Sequence, residues 1–101
     1  MTSALFSREA RRDLAEAVRW IAGSNRRAAE GLRRSAVTAA ETLGAHPAMG
    51  RVRPELAGDH IRFFVLSGYP YIIVYDAERR PPRILRILHG ARDLPEVLRD
   101  L

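Results

Sequence analysis

The sequence predicts an α+β domain in which an N-terminal helical hairpin packs on a mainly antiparallel sheet of three to four strands, with a short C-terminal helix. Three observations predict it. Apolar residues recur at helical spacing through the first 43 residues. After His46-Pro47 the chain changes to short β-branched and aromatic runs divided by turn residues. Finally, 101 residues with 47% hydrophobic content suffice for one core and are too few for two, so residues 1–101 are read as a single domain.

In the first helix, Ser7 is placed as N-cap with Glu9 in the first turn, where a carboxylate suits the helix dipole. Ala10, Leu14, Ala17, Val18 and Ile21 then form an apolar stripe, while Arg8, Arg11, Arg12, Glu16 and Arg19 fall on the remaining surface. Gly23-Ser24-Asn25 interrupts the pattern. A second run through Ala29, Leu32, Ala36, Ala39, Ala40 and Leu43 restarts it, with Gly44 expected as the C′ residue.

Residues 48–58 carry Pro, Gly and charges without periodicity and are read as a loop that exposes Arg51 and Arg53. Strands are expected over residues 61–66, 71–75 and 84–89, the first two joined at Ser67-Gly68-Tyr69-Pro70. Ala4-Leu5-Phe6 is available as a short edge strand. Strict alternation in the last strand would place Ile84, Arg86 and Leu88 on one face and Leu85, Ile87 and His89 on the other. Asp93, followed by Pro95 and Glu96, offers the cap of a closing helical turn or two. The aromatics, Trp20 included, are expected in the core.

Charge is the main functional signal. Seventeen basic against twelve acidic residues give a net charge of +5, and all seventeen are Arg. A planar guanidinium binds carboxylates and phosphates through two parallel hydrogen bonds, so an acidic partner is expected. Arg62 and Arg86 stand in otherwise apolar strands, where a charge must reach water or a partner, and are candidates for the floor of a binding groove. Arg51 and Arg53, together with Arg11 and Arg19 on the first helix, complete the candidate partner-binding set. Cysteine is absent and only three His are present, so neither a disulfide nor a metal centre is expected, and no cofactor. With no apolar run of about 18 residues and no signal-peptide pattern, no membrane association is expected and the chain is assigned to the cytoplasm.

Three segments carry a family resemblance: Val18-Arg19-Trp20-Ile21-Ala22, Pro47 to Leu56, and His89-Gly90-Ala91-Arg92-Asp93-Leu94 directly after an apolar strand. In order and spacing they resemble ParE toxins of the ParE/RelE superfamily. The resemblance implies a bacterial toxin that arrests growth and stabilises plasmids, neutralised by a co-encoded ParD-like antitoxin whose tail folds onto it. ParE-like members mostly poison DNA gyrase, whereas RelE-like members are ribosome-dependent mRNA endonucleases. RNA cleavage needs a general base, a general acid and a cation at the transition state. RelE-like toxins commonly supply a Tyr near the C-terminus and basic residues on the sheet. Here no Tyr follows Tyr75 and no Lys exists, which favours gyrase poisoning over catalysis. The endonuclease alternative would rest on Arg51, Arg53, Arg86 and His89. A third possibility is an inactive toxin retained for autoregulation of its operon.

Overall fold

A computed structural model describes residues 2–90 and Asp93. Its elements are β1 (Leu5–Phe6), α1 (Arg8–Ala22), α2 (Arg26–Ala45), β2 (Arg51–Val52), β3 (Ile61–Val65), β4 (Tyr71–Asp76) and β5 (Arg83–His89). The sheet has the order β1-β5-β4-β3-β2, antiparallel except for the parallel pair β1 and β5. The α+β architecture is therefore as expected, but the sheet has five strands. The added strand is β2, inside the segment read as a loop. Two residues are too short to show periodicity, and β2 exists because Arg51 and Val52 pair with Phe63 and Arg62. The closing helix expected after Asp93 lies outside the described residues.

Both helix starts are capped by side chains, Ser7 as expected and Asn25 from within the interruption between the helices. Ser7 Oγ accepts from Ala10 N–H at 3.0 Å and donates to Leu85 O at 2.9 Å, so a single hydroxyl caps α1 and ties it to β5. Ser7 is buried. Its replacement by Ala should cost about 1–2 kcal/mol, because a helix cap and a long-range hydrogen bond are lost together; urea unfolding measures it, and a change below about 0.5 kcal/mol would contradict this role. Asn25 caps α2 by accepting from Ala28 N–H at 3.0 Å.

The second helix does not stop at Gly44. It continues to Ala45, and His46 N–H closes on Thr42 O at 2.8 Å. Gly44 serves close approach instead: a Cβ there would overlap Thr2 O and lie 2.7 Å from Ser3 Cα. The missing side chain lets the N-terminal segment cross α2, where Ala4 N–H bonds Ala40 O at 2.9 Å.

Two apolar layers sandwich the sheet. On the helical side Leu32, Ala39, Leu43, Tyr71, Ile73, Tyr75, Ile84 and Ile87 are buried in one cluster, and on the other Ile61, Phe63, Val74 and Leu88 form a smaller one. The expected alternation along β5 fails at a bulge, where the register with β4 slips between Val74 and Tyr75. An extra residue on one strand resets which face each side chain takes. Ile84 and Ile87 accordingly both join the helical cluster, while Leu85 packs with Leu88 on the opposite side. At the β3–β4 turn Gly68 adopts φ 84°, a conformation that disfavours any residue with a Cβ. No helix among the described residues is long and apolar enough to cross a membrane.

Candidate functional site

The candidate residues divide between the two margins of the sheet. At the β2 margin, Arg62 donates through Nη1 to Gly50 O at 2.8 Å and Ala48 O at 3.3 Å. It fastens the 46–50 segment to β3. Tyr75 completes the fastening from β4, since its hydroxyl donates to Pro47 O at 2.7 Å and accepts from Gly50 N–H at 2.8 Å. Burial raises the pKa of this phenol, against smaller opposing effects of the Gly50 hydrogen bond and the Arg62 charge. Arg53 bonds Glu55 at 3.0 Å and lies 5.9 Å above the Phe63 ring. The Glu55 pKa is lowered by a backbone hydrogen bond and then by Arg53. Arg51 is exposed on β2.

The Tyr75 arrangement yields a pH prediction. Because the folded pKa lies above the ordinary 10.0, the stabilisation is complete below about pH 10 and declines as pH rises through the folded value. Tyr75→Phe should cost about 1–2 kcal/mol at pH 7, and the difference from the unaltered protein should shrink in unfolding curves above pH 10. A constant difference to pH 11 would contradict it.

At the opposite margin Arg86 is gripped by α1. Its Nε and Nη2 donate to the two carboxylate oxygens of Asp13 at 2.7 and 3.0 Å, and Asp13 also accepts from Ile87 N–H at 3.0 Å. The hydrogen bonds to Asp13 raise the Arg86 pKa further, against desolvation. These contacts solve an edge problem. Strand β1 covers β5 only as far as Ile84, Ser7 takes Leu85 O, and beyond that point carboxylates receive the outward N–H groups: Asp13 that of Ile87 and Asp93 that of His89 at 3.1 Å. An edge strand finished in this way cannot template pairing with another chain. The His89 ring meets Tyr71 edge-on at 5.6 Å and 82°.

Arg51 and Arg53 therefore lie three strand positions from Arg86 and His89, roughly 14 Å at the usual inter-strand spacing. The two pairs thus belong to different parts of the sheet and are not gathered into one cluster by the fold. Arg11 and Arg19 are exposed on α1 and take part in no ion pair among the described residues. No group of three His, Asp or Glu among those residues could hold a metal ion.

Two participants escaped sequence reasoning. Asp13 occupies the apolar stripe of α1, where a carboxylate demands a partner; that anomaly and the Arg in an apolar strand are the two halves of one ion pair. Trp20, expected in the core, is 76% exposed. It sits at the margin of the stripe, near the end of α1.

The model of the ParE toxin of the type II toxin–antitoxin system parDE matches residues 4–94. No curated relative matches by sequence. Among solved structures, a chain of the chromosomal ParDE toxin–antitoxin system from P. aeruginosa superposes with a TM-score of 0.73 at 21% identity, over 88% of this chain and 96% of that one. The fold is shared at that level, and the match over 4–94 places the sequence: this chain belongs to the ParE toxin family of type II toxin–antitoxin systems.

Proposed function

We propose that the protein arrests growth by binding DNA gyrase and trapping its cleaved-DNA complex, and that a co-encoded antitoxin neutralises it by folding onto its surface. The observation that carries this reading is the separation of the basic residues. The four candidates for RNA cleavage are split between opposite margins of the sheet, and Arg86 already spends two of its guanidinium donors and much of its charge on Asp13. Poisoning needs no catalytic group of the toxin's own, only higher affinity for one state of the target. Arg11, Arg19 and Arg51, exposed and without an ion pair among the described residues, are the contacts we assign to the target. A tail that is unfolded in isolation and folds on the toxin fits the antitoxin role.

Expression without antitoxin tests the reading in cells. Chromosome breaks should precede any fall in protein synthesis, and co-expressed antitoxin should abolish both. A fall in protein synthesis and site-specific mRNA cleavage ahead of DNA breaks would overturn it in favour of an endonuclease, and an absence of any growth effect would point to a purely regulatory protein. Arg51→Gln should weaken poisoning while changing stability by less than about 0.5 kcal/mol, since its side chain is exposed.

A further inference from the structure

Asp13, Glu16 and Trp20 stand at positions i, i+3 and i+7 of α1, which places them along one flank of the helix. That flank faces Tyr71 and Asp93 across a hollow of about 210 Å³ floored by Ala17 and Ile87. On the other side of the indole, a wider hollow of about 590 Å³ is bounded by Glu16, Arg19 and the Gly23-Ser24 turn. Trp20 is thus a ridge between two depressions, 76% exposed on its own. An aromatic side chain presented in this way is the type of residue that dominates affinity once a partner covers it.

The sign of the first hollow is opposite to that of the protein. Among the described residues three carboxylates line it, on a chain of net charge +5. Arg86 offsets Asp13 by direct pairing, and Asp93 accepts from His89 N–H. Glu16 takes part in no ion pair or side-chain hydrogen bond among the described residues. It lies one helical turn before Trp20, so its carboxylate and the face of the indole can address the same bound group. Both attract a cation. A carboxylate-bearing ligand would be repelled here, and a purely apolar one would bury Glu16 without compensation. The Ala17 and Ile87 floor suits the aliphatic stem of a long basic side chain.

We infer that the hollow beside Trp20 receives an arginine or lysine side chain from the toxin-binding segment of the antitoxin. The inference rests on the reading that an antitoxin folds onto this protein. An overall acidic segment would be drawn to the Arg-rich surface, and a single basic anchor in this acidic hollow would set its register and select among partners.

Trp20 is the sole Trp of the chain, so its fluorescence reports directly on the hollow. Titration with the co-encoded antitoxin should shift Trp20 emission to shorter wavelength. Calorimetric titration should show about tenfold weaker binding for Glu16→Gln, at least about tenfold for Trp20→Ala and more for Glu16→Arg. Glu30→Gln, which removes the same charge from the exposed face of α2, should stay within about twofold of the unaltered chain. Replacing each Arg and Lys of the antitoxin segment by Gln in turn should reveal one whose loss costs nothing further once Glu16 is already Gln. Unchanged affinity in Glu16→Gln and Trp20→Ala, or no basic antitoxin residue coupled to Glu16, would overturn the inference while leaving neutralisation intact. If the antitoxin fails to bind the unaltered toxin, the neutralisation reading fails and this inference falls with it.

Discussion

Replacing Asp13 by Ala should lower the stability of the protein by about 2–3 kcal/mol, more than any exposed substitution. The side chain is 12% exposed and its partner Arg86 28%. Removing one member of a fully buried pair costs about 3–5 kcal/mol, and the partial exposure of Arg86 reduces that by letting water reach the stranded guanidinium. The Ile87 N–H, which Asp13 also accepts, loses its partner at the same time. For a domain of about 100 residues the melting temperature should fall by roughly 10–20 °C. Arg86→Ala should also destabilise, because it strands a carboxylate that is only 12% exposed, although Asp13 then still accepts from Ile87 N–H. Thermal and urea unfolding of the two variants provide the check. An Asp13→Ala cost within about 0.5 kcal/mol of zero would show that the pair does not hold α1 to the sheet.

Gly50→Ala should be comparably damaging at the opposite margin, by about 2–4 kcal/mol. A Cβ at this position would stand 2.7 Å from Tyr75 Oη, 2.8 Å from its Cε1 and 3.0 Å from Phe63 O. The Tyr75 ring is fully buried and cannot withdraw, so the 46–50 segment must move outward. That displacement breaks the Gly50 N–H bond to the phenol, adding a lost hydrogen bond to the cost of overpacking. Because Tyr75→Phe removes the nearest of the colliding atoms, the double variant should be less destabilised than the sum of the singles. Additive losses would mean that the two residues do not share the strain.

These sites show what the sequence displays and what it conceals. The helices and β3 to β5 are legible because their apolar residues repeat over at least five positions, and Ser7 is legible as a cap because its hydroxyl acts within three residues. β2 is not, since a two-residue strand is specified by its neighbour rather than by its own pattern. The bulge in β5 is equally silent, and it invalidates face assignments made by counting alternate residues. Among the candidate site residues, the sequence marks Arg62 and Arg86 as anomalous without revealing what resolves the anomaly. Arg62 meets carbonyls of a segment twelve and fourteen residues away, and Arg86 a carboxylate seventy-three residues away. Such pairings depend on topology. Trp20 misled for a related reason: helical spacing places it beside the apolar stripe, but whether a residue on that margin is covered depends on how the helix lies across the sheet.

The same contacts separate scaffold from surface. Arg62, Arg86 and Tyr75 hold strands, helix and loop in place, so their substitution confounds loss of activity with loss of fold. Arg11, Arg19, Arg51, Glu16 and Trp20 are exposed and can be changed with the fold intact. Their effects on binding are consequently interpretable, and they divide by sign into a cationic set assigned to the target and an acidic hollow assigned to the antitoxin.

The central claim is that the protein acts by trapping another enzyme. Its most direct test is incubation of the purified toxin with gyrase, ATP and supercoiled plasmid, followed by detergent and protease. Linear plasmid that increases with toxin concentration, and that disappears when antitoxin is added first, is the predicted result. An unchanged level of linear plasmid with folded toxin would contradict the account for the gyrase tested.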